Sequence, residues 1–258
     1  MSTILITGAS SGLGVEFARL AAANGDDLVL VARSVEKLDL LADELRSSRG
    51  VKVTVLPYDL SSPASVDAIV RDLSAAGIAV HTLIANAGVG KLGAFAEQSP
   101  EDAANMLRLN VESLTMLIRA LLPGMLERKA GRILTVASVA AFTPGPLMAV
   151  YYASKAYVLH FSVALRNELR GSGVTVTCVC PGPTKTGFQK MANMMEAPMF
   201  KKLHIMDAAS VARIGYDAMR RGKAIAVTGW ANKLSAFLTR LAPKTFTAKI
   251  ARAAQESH

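Results

Sequence analysis

The sequence predicts an α/β protein whose single domain holds a Rossmann-type, doubly wound, seven-stranded parallel sheet. Short runs of apolar, often β-branched residues alternate along the chain with longer segments of helical spacing, as they do in doubly wound folds. The runs are apolar almost throughout, which is typical of strands covered by helices on both faces. The length of 258 residues suits one such domain with a large core, and right-handed crossovers are expected between its strands.

The predicted strands and helices follow one another in regular order, with no repeat or linker, so residues 1–258 are predicted to form one domain. The strands are predicted at 3–7, 28–32, 51–57, 82–85, 132–138, 174–180 and 224–228. The helices are predicted at 14–24, 34–48, 63–76, 100–129, 151–171 and 208–221. Each predicted strand but the last is followed by a segment long enough for a crossover helix, which favours a parallel sheet.

Two segments fall outside this alternation. Residues 183–206 are too long for a tight connection and carry several methionines, side chains that can re-pack around varied apolar ligands. We predict that they form a substrate lid, and a helical segment packed on the core is the alternative. Residues 232–254 are predicted as two short amphipathic helices separated by Pro243. In the first of them, helical spacing relates Leu234, Phe237, Leu238 and Leu241.

The net charge of +9 is concentrated at the end of the chain. Residues 213–258 hold nine Lys or Arg and two acids, which leaves a balance of +7 in this segment. A basic segment can favour anionic surfaces, although a solvated helical face is the ordinary interpretation. We expect no nucleic-acid partner, because the sequence has no aromatic stacking set and no recognition motif. A weak membrane-surface contact through residues 232–254 is the more credible alternative.

The beginning of the sequence and its cysteines indicate a compartment. The first residues show no basic leader and no long apolar segment of a secretory signal. No uninterrupted apolar run reaches the roughly 18–20 residues of a membrane span. Cys178 and Cys180 alternate within one predicted strand, a spacing that suits neither a disulfide nor a zinc site. We therefore expect two reduced, buried thiols, no metal and a cytoplasmic location.

A glycine-rich turn follows the first predicted strand directly. Residues 7–14 read T-G-A-S-S-G-L-G, with glycines at Gly8, Gly12 and Gly14, and a helix is predicted to begin at once. Glycines at this point permit a tight turn and close approach of the backbone to a pyrophosphate, which the helix N-terminus attracts. The run predicts a dinucleotide site, against the alternative of a glycine turn without a ligand.

The end of the second predicted strand favours NADP(H) over NAD(H). The chain reads Val31-Ala32-Arg33 there, without the acidic residue that would bind both ribose hydroxyls of NAD. The guanidinium of Arg33 suits a 2′-phosphate, and Ser10 or Ser11 could add a hydroxyl contact. The alternative is that Arg33 is a surface residue and the selectivity is loose. Asp59, followed by Leu60, could accept a hydrogen bond from the adenine amino group or simply neighbour a helix cap.

Three further residues predict acid–base chemistry. Tyr151 and Lys155 are four residues apart in a predicted helix, and Ser138 ends a predicted strand thirteen residues earlier. Free tyrosine has a pKa of about 10, which is high for proton transfer near neutrality. An ammonium on the same helix face is expected to lower that pKa. We predict that Tyr151 is the acid/base, that Lys155 lowers its pKa and that Ser138 holds the substrate oxygen, whereas neighbouring Tyr152 is assigned to packing.

Taken together, these residues resemble the short-chain dehydrogenase/reductase family across nearly the whole chain. The resemblance rests on residues 7–14, Asp59-Leu60, Asn86-Ala87-Gly88, Asn110, Ser138, Tyr151 with Lys155, and Pro181-Gly182 followed by Thr184 and Thr186. The family's fold is a seven-stranded parallel sheet flanked by helices, which agrees with the fold predicted from the sequence pattern.

The resemblance also implies roles for these residues. Lys155 would bind the nicotinamide ribose, and Tyr151 would also belong to the cofactor site. Asn110 would help hold a water in a proton relay. Asn86, Ala87 and Gly88 would line the adenosine ribose side of the cofactor. Pro181, Gly182, Thr184 and Thr186 would border the nicotinamide. The long predicted helices 100–129 and 151–171 would pair across a two-fold axis in a homodimer or homotetramer.

The sequence thus predicts an NADP(H)-dependent oxidoreductase that transfers a hydride between nicotinamide and an apolar carbonyl or secondary alcohol. Reduction of a ketone or aldehyde, including acyl or lipid-like ones, is the expected direction. The alternative is a non-catalytic NADP(H)-binding sensor or regulatory protein on the same fold, which would usually lack Tyr151 or Lys155.

Overall fold

Seven parallel strands form the central sheet of the computed structural model, which describes residues 2–187 and 205–255. The strands in this sheet are β1 (Thr3–Thr7), β2 (Asp27–Val31), β3 (Val53–Leu56), β4 (Thr82–Ala85), β5 (Gly131–Val136), β6 (Val174–Cys180) and β9 (Ile225–Val227). Their order is β3-β2-β1-β4-β5-β6-β9, and every neighbouring pair is parallel. The predicted seven-stranded, doubly wound sheet is confirmed.

Helices connect and cover these strands. They are α1 (Leu13–Ala23), α2 (Val35–Arg49), α3 (Ser65–Ala75), α4 (Pro100–Leu107), α5 (Ser113–Glu127), α6 (Ala149–Glu168), α7 (Ala208–Arg220), α8 (Trp230–Leu241) and α9 (Lys244–Gln255). The sheet is buried on both faces, because alternate residues of one strand belong to two different core clusters. Leu5 of β1 packs in one cluster, and its neighbours Ile4 and Ile6 pack in the other. This explains why the strands read as continuous apolar runs.

The predicted strands at the two edges of the sheet are too long. Residues 51–57 shorten to β3, and residues 224–228 shorten to β9. Within residues 2–187 and 205–255, each of these strands pairs with one neighbour only, so its ends have fewer ladder hydrogen bonds to extend them. Pro57 has no N–H to donate, which helps to end β3.

The predicted helix 100–129 is not one regular α-helix. A π-helical turn, Arg108–Glu112, separates α4 from α5. The N–H of Ser113 donates to the carbonyl of Arg108, five residues back, so this turn holds one residue more than an α-helical turn. By length and composition the run Pro100–Glu127 could cross a membrane. That is weak evidence, because helices packed in a protein core pass the same test, and Leu117 of this run is fully buried in the core.

Two short strands lie outside the main sheet and join the ends of the predicted lid. They are β7 (Thr184–Lys185) and β8 (Met206–Asp207), which pair in parallel. Residues 188–204 of the predicted lid 183–206 lie outside the described residues. The two paired strands bring the two ends of this segment together beside α7.

The strand order reverses direction between β1 and β4. After β1 the chain continues to β2 and β3 on one side, and from β4 it continues to β5 and β6 on the other. The connections therefore leave the sheet on opposite sides at this point, which opens a crevice beyond the carboxyl ends of the two strands. In open α/β sheets ligands bind in this crevice.

Candidate active site

A cavity of about 400 Å³ lies at this crevice. Its walls include these predicted site residues from the part of the chain before β4: Gly8, Ser10, Ser11, Gly12, Leu13, Arg33, Asp59 and Leu60. From the part of the chain after β4 they include Asn86, Ala87, Gly88, Ser138, Tyr151, Lys155, Pro181, Gly182, Thr184 and Thr186. The predicted site residues Gly14 and Asn110 do not line the cavity. The structure therefore brings nearly all the predicted residues to one place, although they are spread over most of the chain.

The glycine turn forms the floor of one end of the cavity. Gly8 and Gly12 have φ angles of 68° and 55°, a region that side chains with a Cβ rarely adopt. Gly12 caps α1 without a side-chain hydrogen bond to its first N–H groups. Those N–H groups and the positive end of the helix dipole make this end of the cavity suitable for an anion.

Gly14 allows α1 to pack closely against the backbone of the glycine turn. A Cβ on Gly14 would lie 2.1 Å from the carbonyl oxygen of Gly8, so only glycine lets α1 begin this close to the turn. Gly14→Ala is expected to displace the turn, to lower stability by about 1–3 kcal/mol or more and to weaken dinucleotide binding at least tenfold. Thermal unfolding and dinucleotide titration would measure both effects. Gly124→Ala in α5, whose Cβ would meet only the flexible Arg128 side chain, is the control and should not weaken binding.

Thr7 anchors the turn and was not predicted as a functional residue. Its Oγ1 accepts hydrogen bonds from the backbone N–H groups of Asn86 and Ala87, each at 3.0 Å. The side-chain amide of Asn86 donates in return to the Thr7 carbonyl at 2.9 Å. These bonds join the ends of β1 and β4 across the crevice. A threonine that ends an apolar strand carries no sequence signal for such a role.

Ser138 and Tyr151 meet at the other end of the cavity. Ser138 lies just beyond β5 and caps the short 3₁₀-helix Val139–Phe142, accepting a hydrogen bond from the N–H of Ala140 at 3.1 Å. Its hydroxyl also lies 3.4 Å from the Pro181 carbonyl oxygen. Tyr151, in the first turn of α6, is hydrogen-bonded to Ser138. The two hydroxyl groups are therefore placed to hold one substrate oxygen between them.

Burial raises the pKa of Tyr151 to about 12, and the hydrogen bond with Ser138 lowers it by less. The sequence predicts that Lys155 lowers the pKa of Tyr151. With the protein's own groups alone, this pKa is instead raised above its ordinary value. Lys155 is itself 5% exposed, and burial lowers its pKa to about 8. Its Nζ lies 5.8 Å from the Tyr151 ring centroid and donates to the Val136 carbonyl at 2.9 Å. Burial of the phenol is therefore the largest influence on the pKa of Tyr151, and the hydrogen bond with Ser138 offsets only part of it.

Asn110 lies in the π-helical turn, outside the cavity wall, and its side chain is hydrogen-bonded to the loop after β4. It is 1% exposed, and its side-chain amide donates to the Val89 carbonyl at 2.8 Å and to Ser154 Oγ at 3.0 Å. Its Oδ1 accepts from the Val89 N–H at 2.9 Å. A Cβ on Gly88 would lie 3.1 Å from Lys155 Nζ and 3.2 Å from Asn110 Oδ1. The amine and the amide thus converge on Gly88, while the proton relay through Asn110 stays a prediction.

The end of the cavity near β2 carries two cations and one carboxylate. Arg33 is 67% exposed along its side chain, and its Nη1 lies 3.8 Å from Asp59 Oδ2. Burial of Asp59 alone would raise its pKa, but two hydrogen bonds from Ser61 and the nearby Arg33 outweigh burial and lower the pKa. Lys37, in the first turns of α2, also lines the cavity. Sequence reasoning missed it, because Lys37 looks like an ordinary exposed lysine in the first turn of a helix.

The substrate end of the cavity is largely apolar. Met148, Val139 and Tyr152 line it together with Tyr151, so Tyr152 does more than pack. The Tyr152 hydroxyl accepts a hydrogen bond of 2.9 Å from the side-chain amide of Gln255, which is 2% exposed at the end of α9. The C-terminal helix therefore reaches the wall of the cavity. Behind Lys155, Cys178 and Cys180 are free and buried, as expected.

Known proteins share this sequence pattern. A model of the short chain dehydrogenase family matches residues 2–197. The ketoacyl reductase HetN of Nostoc sp. is 33% identical over 239 residues, which cover 93% of this chain and 82% of that protein. A very-long-chain 3-oxoacyl-CoA reductase of Phaeosphaeria nodorum is 38% identical over 179 residues, or 68% of this chain. The match covers 52% of the latter protein, so the chain spans about half its length.

Solved structures share the fold. A short-chain dehydrogenase from Sphingobium yanoikuyae in complex with NADPH superposes with a TM-score of 0.84 and 32% identity, covering 100% of this chain and 99% of the other. A short-chain dehydrogenase/reductase from Burkholderia phymatum in complex with NAD superposes with a TM-score of 0.82 and 28% identity, covering 100% and 97%. The matches of sequence and structure agree, and the chain belongs to the short-chain dehydrogenase family of oxidoreductases.

Proposed function

We propose that the protein is an NADP(H)-dependent reductase that transfers a hydride between nicotinamide and the carbon of an apolar ketone, aldehyde or secondary alcohol. One observation carries the proposal: the hydrogen-bonded pair Ser138 and Tyr151 shares a single cavity with the glycine turn. The turn fits a dinucleotide because its glycines leave the backbone bare. A Cβ on Gly8 would lie 2.8 Å from Asn86 Nδ2 and close this cradle. The bound dinucleotide would supply the hydride, and the protein would supply the proton.

In this proposal Tyr151 exchanges a proton with the substrate oxygen, and Ser138 holds that oxygen by a hydrogen bond. The raised pKa of Tyr151, about 12, keeps the phenol protonated at neutral pH. A protonated phenol can donate to a carbonyl oxygen as it becomes an alcohol, which is the proton transfer that reduction requires. Lys155 would bind the ribose of the cofactor, and Asn110 would keep the loop after β4 in place around Gly88.

The cations near β2 support NADP(H) over NAD(H), while solved relatives occur with NADPH and with NAD. Arg33→Ala is expected to raise the Kd of NADPH about tenfold, because a hydrogen bond to a charged group contributes about 1.5–3 kcal/mol and Arg33 is partly solvated. NADH binding should change little. Fluorescence titration with both cofactors would measure this, with exposed Arg49→Ala as the control. Equal effects on NADPH and NADH would contradict a 2′-phosphate contact.

The apolar substrate end supports a carbonyl compound with a hydrocarbon chain, including an acyl or lipid-like one, as the named activities of the relatives also suggest. We expect kcat/KM with NADPH to rise about threefold to fourfold for each added methylene until the cavity is filled, since a buried methylene contributes about 0.8 kcal/mol. Ketones, aldehydes and 3-oxoacyl thioesters of increasing length would test this. A preference for small charged substrates would exclude the proposed substrate class. Tight NADPH binding without any turnover would instead favour a dinucleotide sensor.

Two further features of the proposal concern location and assembly. We propose a cytoplasmic homo-oligomer, a dimer or tetramer, that makes weak contact with membrane surfaces through α8 and α9. The helices α5 and α6 expose apolar side chains, among them Met116, Tyr157 and Val163, which supports pairing of these helices between subunits. Light scattering of the purified protein would test the assembly, and a monodisperse monomer at micromolar concentration would exclude it.

A further inference from the structure

The two C-terminal helices, α8 and α9 (residues 230–255, the C-terminal hairpin), form a surface beside the substrate end of the cavity. We infer that this hairpin docks on an anionic phospholipid bilayer and holds the substrate end of the cavity at the lipid surface, from which apolar substrates enter. The inference rests on the proposed function only for the delivery of substrate. The docking itself depends on the hairpin alone.

The hairpin exposes an unusual number of large apolar side chains. Of the large apolar residues that are exposed in the described part of the chain, these belong to it: Trp230, Leu234, Phe237, Leu238, Leu241, Phe246 and Ile250. Those of α8 fall at positions i, i+4, i+7, i+8 and i+11 counted from Trp230, so they form one stripe along the outer face of the helix. A stripe that includes exposed Trp, Phe and Leu is typical of helices that lie in a membrane interface.

The charge of the hairpin complements an anionic surface. Residues 230–255 contain five Lys or Arg and no acidic residue. On the helical wheel of α8, Lys233 lies between the exposed apolar stripe and buried Ala236, where it can reach lipid headgroups beside an inserted stripe. Arg240 lies on the same side of the helix, with its guanidinium 5.9 Å from the centroid of the Phe142 ring. Each basic residue near an anionic membrane surface strengthens binding on the order of fivefold. Apolar stripe and flanking cations together match the pattern of an interfacial helix rather than that of a solvated face.

The hairpin is attached to the substrate wall of the cavity at both ends of α9. Lys244, at its beginning, donates from Nζ to the Phe142 carbonyl at 3.2 Å. Gln255, at its end, donates to the Tyr152 hydroxyl. Phe142 closes the 3₁₀-helix that Ser138 caps, and Tyr152 lines the cavity. The hairpin and a bilayer that receives it are therefore joined to the substrate wall of the cavity through α9.

Other occupants fit this surface less well. A second copy of the hairpin would bring five positive charges against five, with no acid within either hairpin to pair them. An acidic protein would complement the cations, but it would also need an apolar surface that matches the shape of the stripe. A bilayer accommodates both the stripe and the cations without a matching shape, so it is the occupant that the surface favours.

Flotation of the full-length protein with phospholipid vesicles tests the docking. Vesicles with about a third of phosphatidylglycerol should bind the protein at least tenfold more tightly than pure phosphatidylcholine, and high salt should weaken the binding. Leu241→Ser should weaken it roughly tenfold. The matched control is Leu40→Ser on α2, because Leu40 and Leu241 are each 73% exposed. Lys233→Gln with Lys249→Gln should weaken binding to the anionic vesicles and leave binding to phosphatidylcholine unchanged.

Two results would overturn the inference. One is an absence of binding to anionic vesicles, and the other is an equal loss of binding in Leu40→Ser and Leu241→Ser. Self-association through the hairpin, or selective binding of a purified acidic carrier protein without vesicle binding, would replace the bilayer as the partner. Turnover of a short soluble ketone with NADPH separates this test from the proposed function: normal turnover without docking removes only the inference, and docking without turnover removes only the proposed function.

Discussion

Replacing Tyr151 by Phe should lower kcat for carbonyl reduction about a thousandfold while NADPH binding stays within about twofold of the wild type. The substitution removes one hydroxyl, which is the group that we expect to donate the proton, and general acid catalysis contributes typically 10²–10⁴-fold. The ring remains to fill its place beside Tyr152, 6.0 Å away between ring centroids. Steady-state kinetics with NADPH and a titration of NADPH binding would measure the two effects separately.

Tyr152→Phe is the matched control for this prediction. Tyr152 neighbours Tyr151 in sequence and lines the same cavity, but its hydroxyl receives the hydrogen bond of Gln255. We expect this variant to keep kcat within about tenfold and to change mainly the KM for substrate, since the wall of the cavity shifts. If Tyr152→Phe lost as much kcat as Tyr151→Phe, the assignment of the proton donor would be wrong.

Lys155→Met should abolish most of the turnover and yet stabilise the folded protein at pH 7. The side chain is buried, and burial lowers its pKa from the ordinary 10.5 to about 8. This difference corresponds to roughly 3 kcal/mol of destabilisation by the buried charge. The lost hydrogen bond from the ammonium to the Val136 carbonyl offsets about 1.5–3 kcal/mol of the gain. A net increase of up to about 1.5 kcal/mol in the free energy of unfolding is therefore expected, as for many substitutions of active-site residues that oppose stability.

The advantage of Lys155→Met should disappear as the pH rises. Below pH 8 the ammonium is protonated in the folded and the unfolded chain, and the folded protein bears the full penalty. Between pH 8 and 10.5 the unfolded chain binds more protons than the folded chain, so the stability of the wild type rises toward that of the variant. Urea unfolding at pH 7 and pH 10 would measure this, with exposed Lys223→Met as the control. A variant that is less stable than the wild type at pH 7 would contradict the penalty.

The sheet could be predicted almost completely because its signal is local. Strands covered on both faces, such as β1 and β6, are apolar at nearly every position, and this shows in the sequence. The edge strands β3 and β9 were overestimated because an apolar run does not reveal where its hydrogen-bonding partner ends. Likewise, the π-helical turn could not be predicted. The spacing of apolar residues in 100–129 indicates a helix but does not show whether a backbone N–H bonds to the carbonyl four or five residues back.

The site residues could be predicted where the chemistry requires one residue type. They could not be predicted where only the position of a side chain in the fold gives it a role. Glycines, Ser138, Tyr151 and Lys155 are recognisable because few other residues could replace them. Thr7 and Lys37 escape notice because they look like an ordinary strand end and an ordinary surface lysine. The pKa of Tyr151 follows from its burial, and the spacing of Tyr151 and Lys155 along a helix does not contain that information.

The π-helical turn at Asn110 also has a consequence for how the chain length can vary. Deleting a residue from a regular α-helix rotates everything beyond it by about 100° relative to the core. Here the turn already holds one surplus residue, since Ser113 bonds five residues back to Arg108. Deleting one residue within Arg108–Glu112 could therefore convert the turn to α-helix while α4 and α5 keep their buried faces. Such a deletion would withdraw Asn110 from Val89 and Ser154 without unfolding the protein, so the support of the loop after β4 could change independently of the two helices.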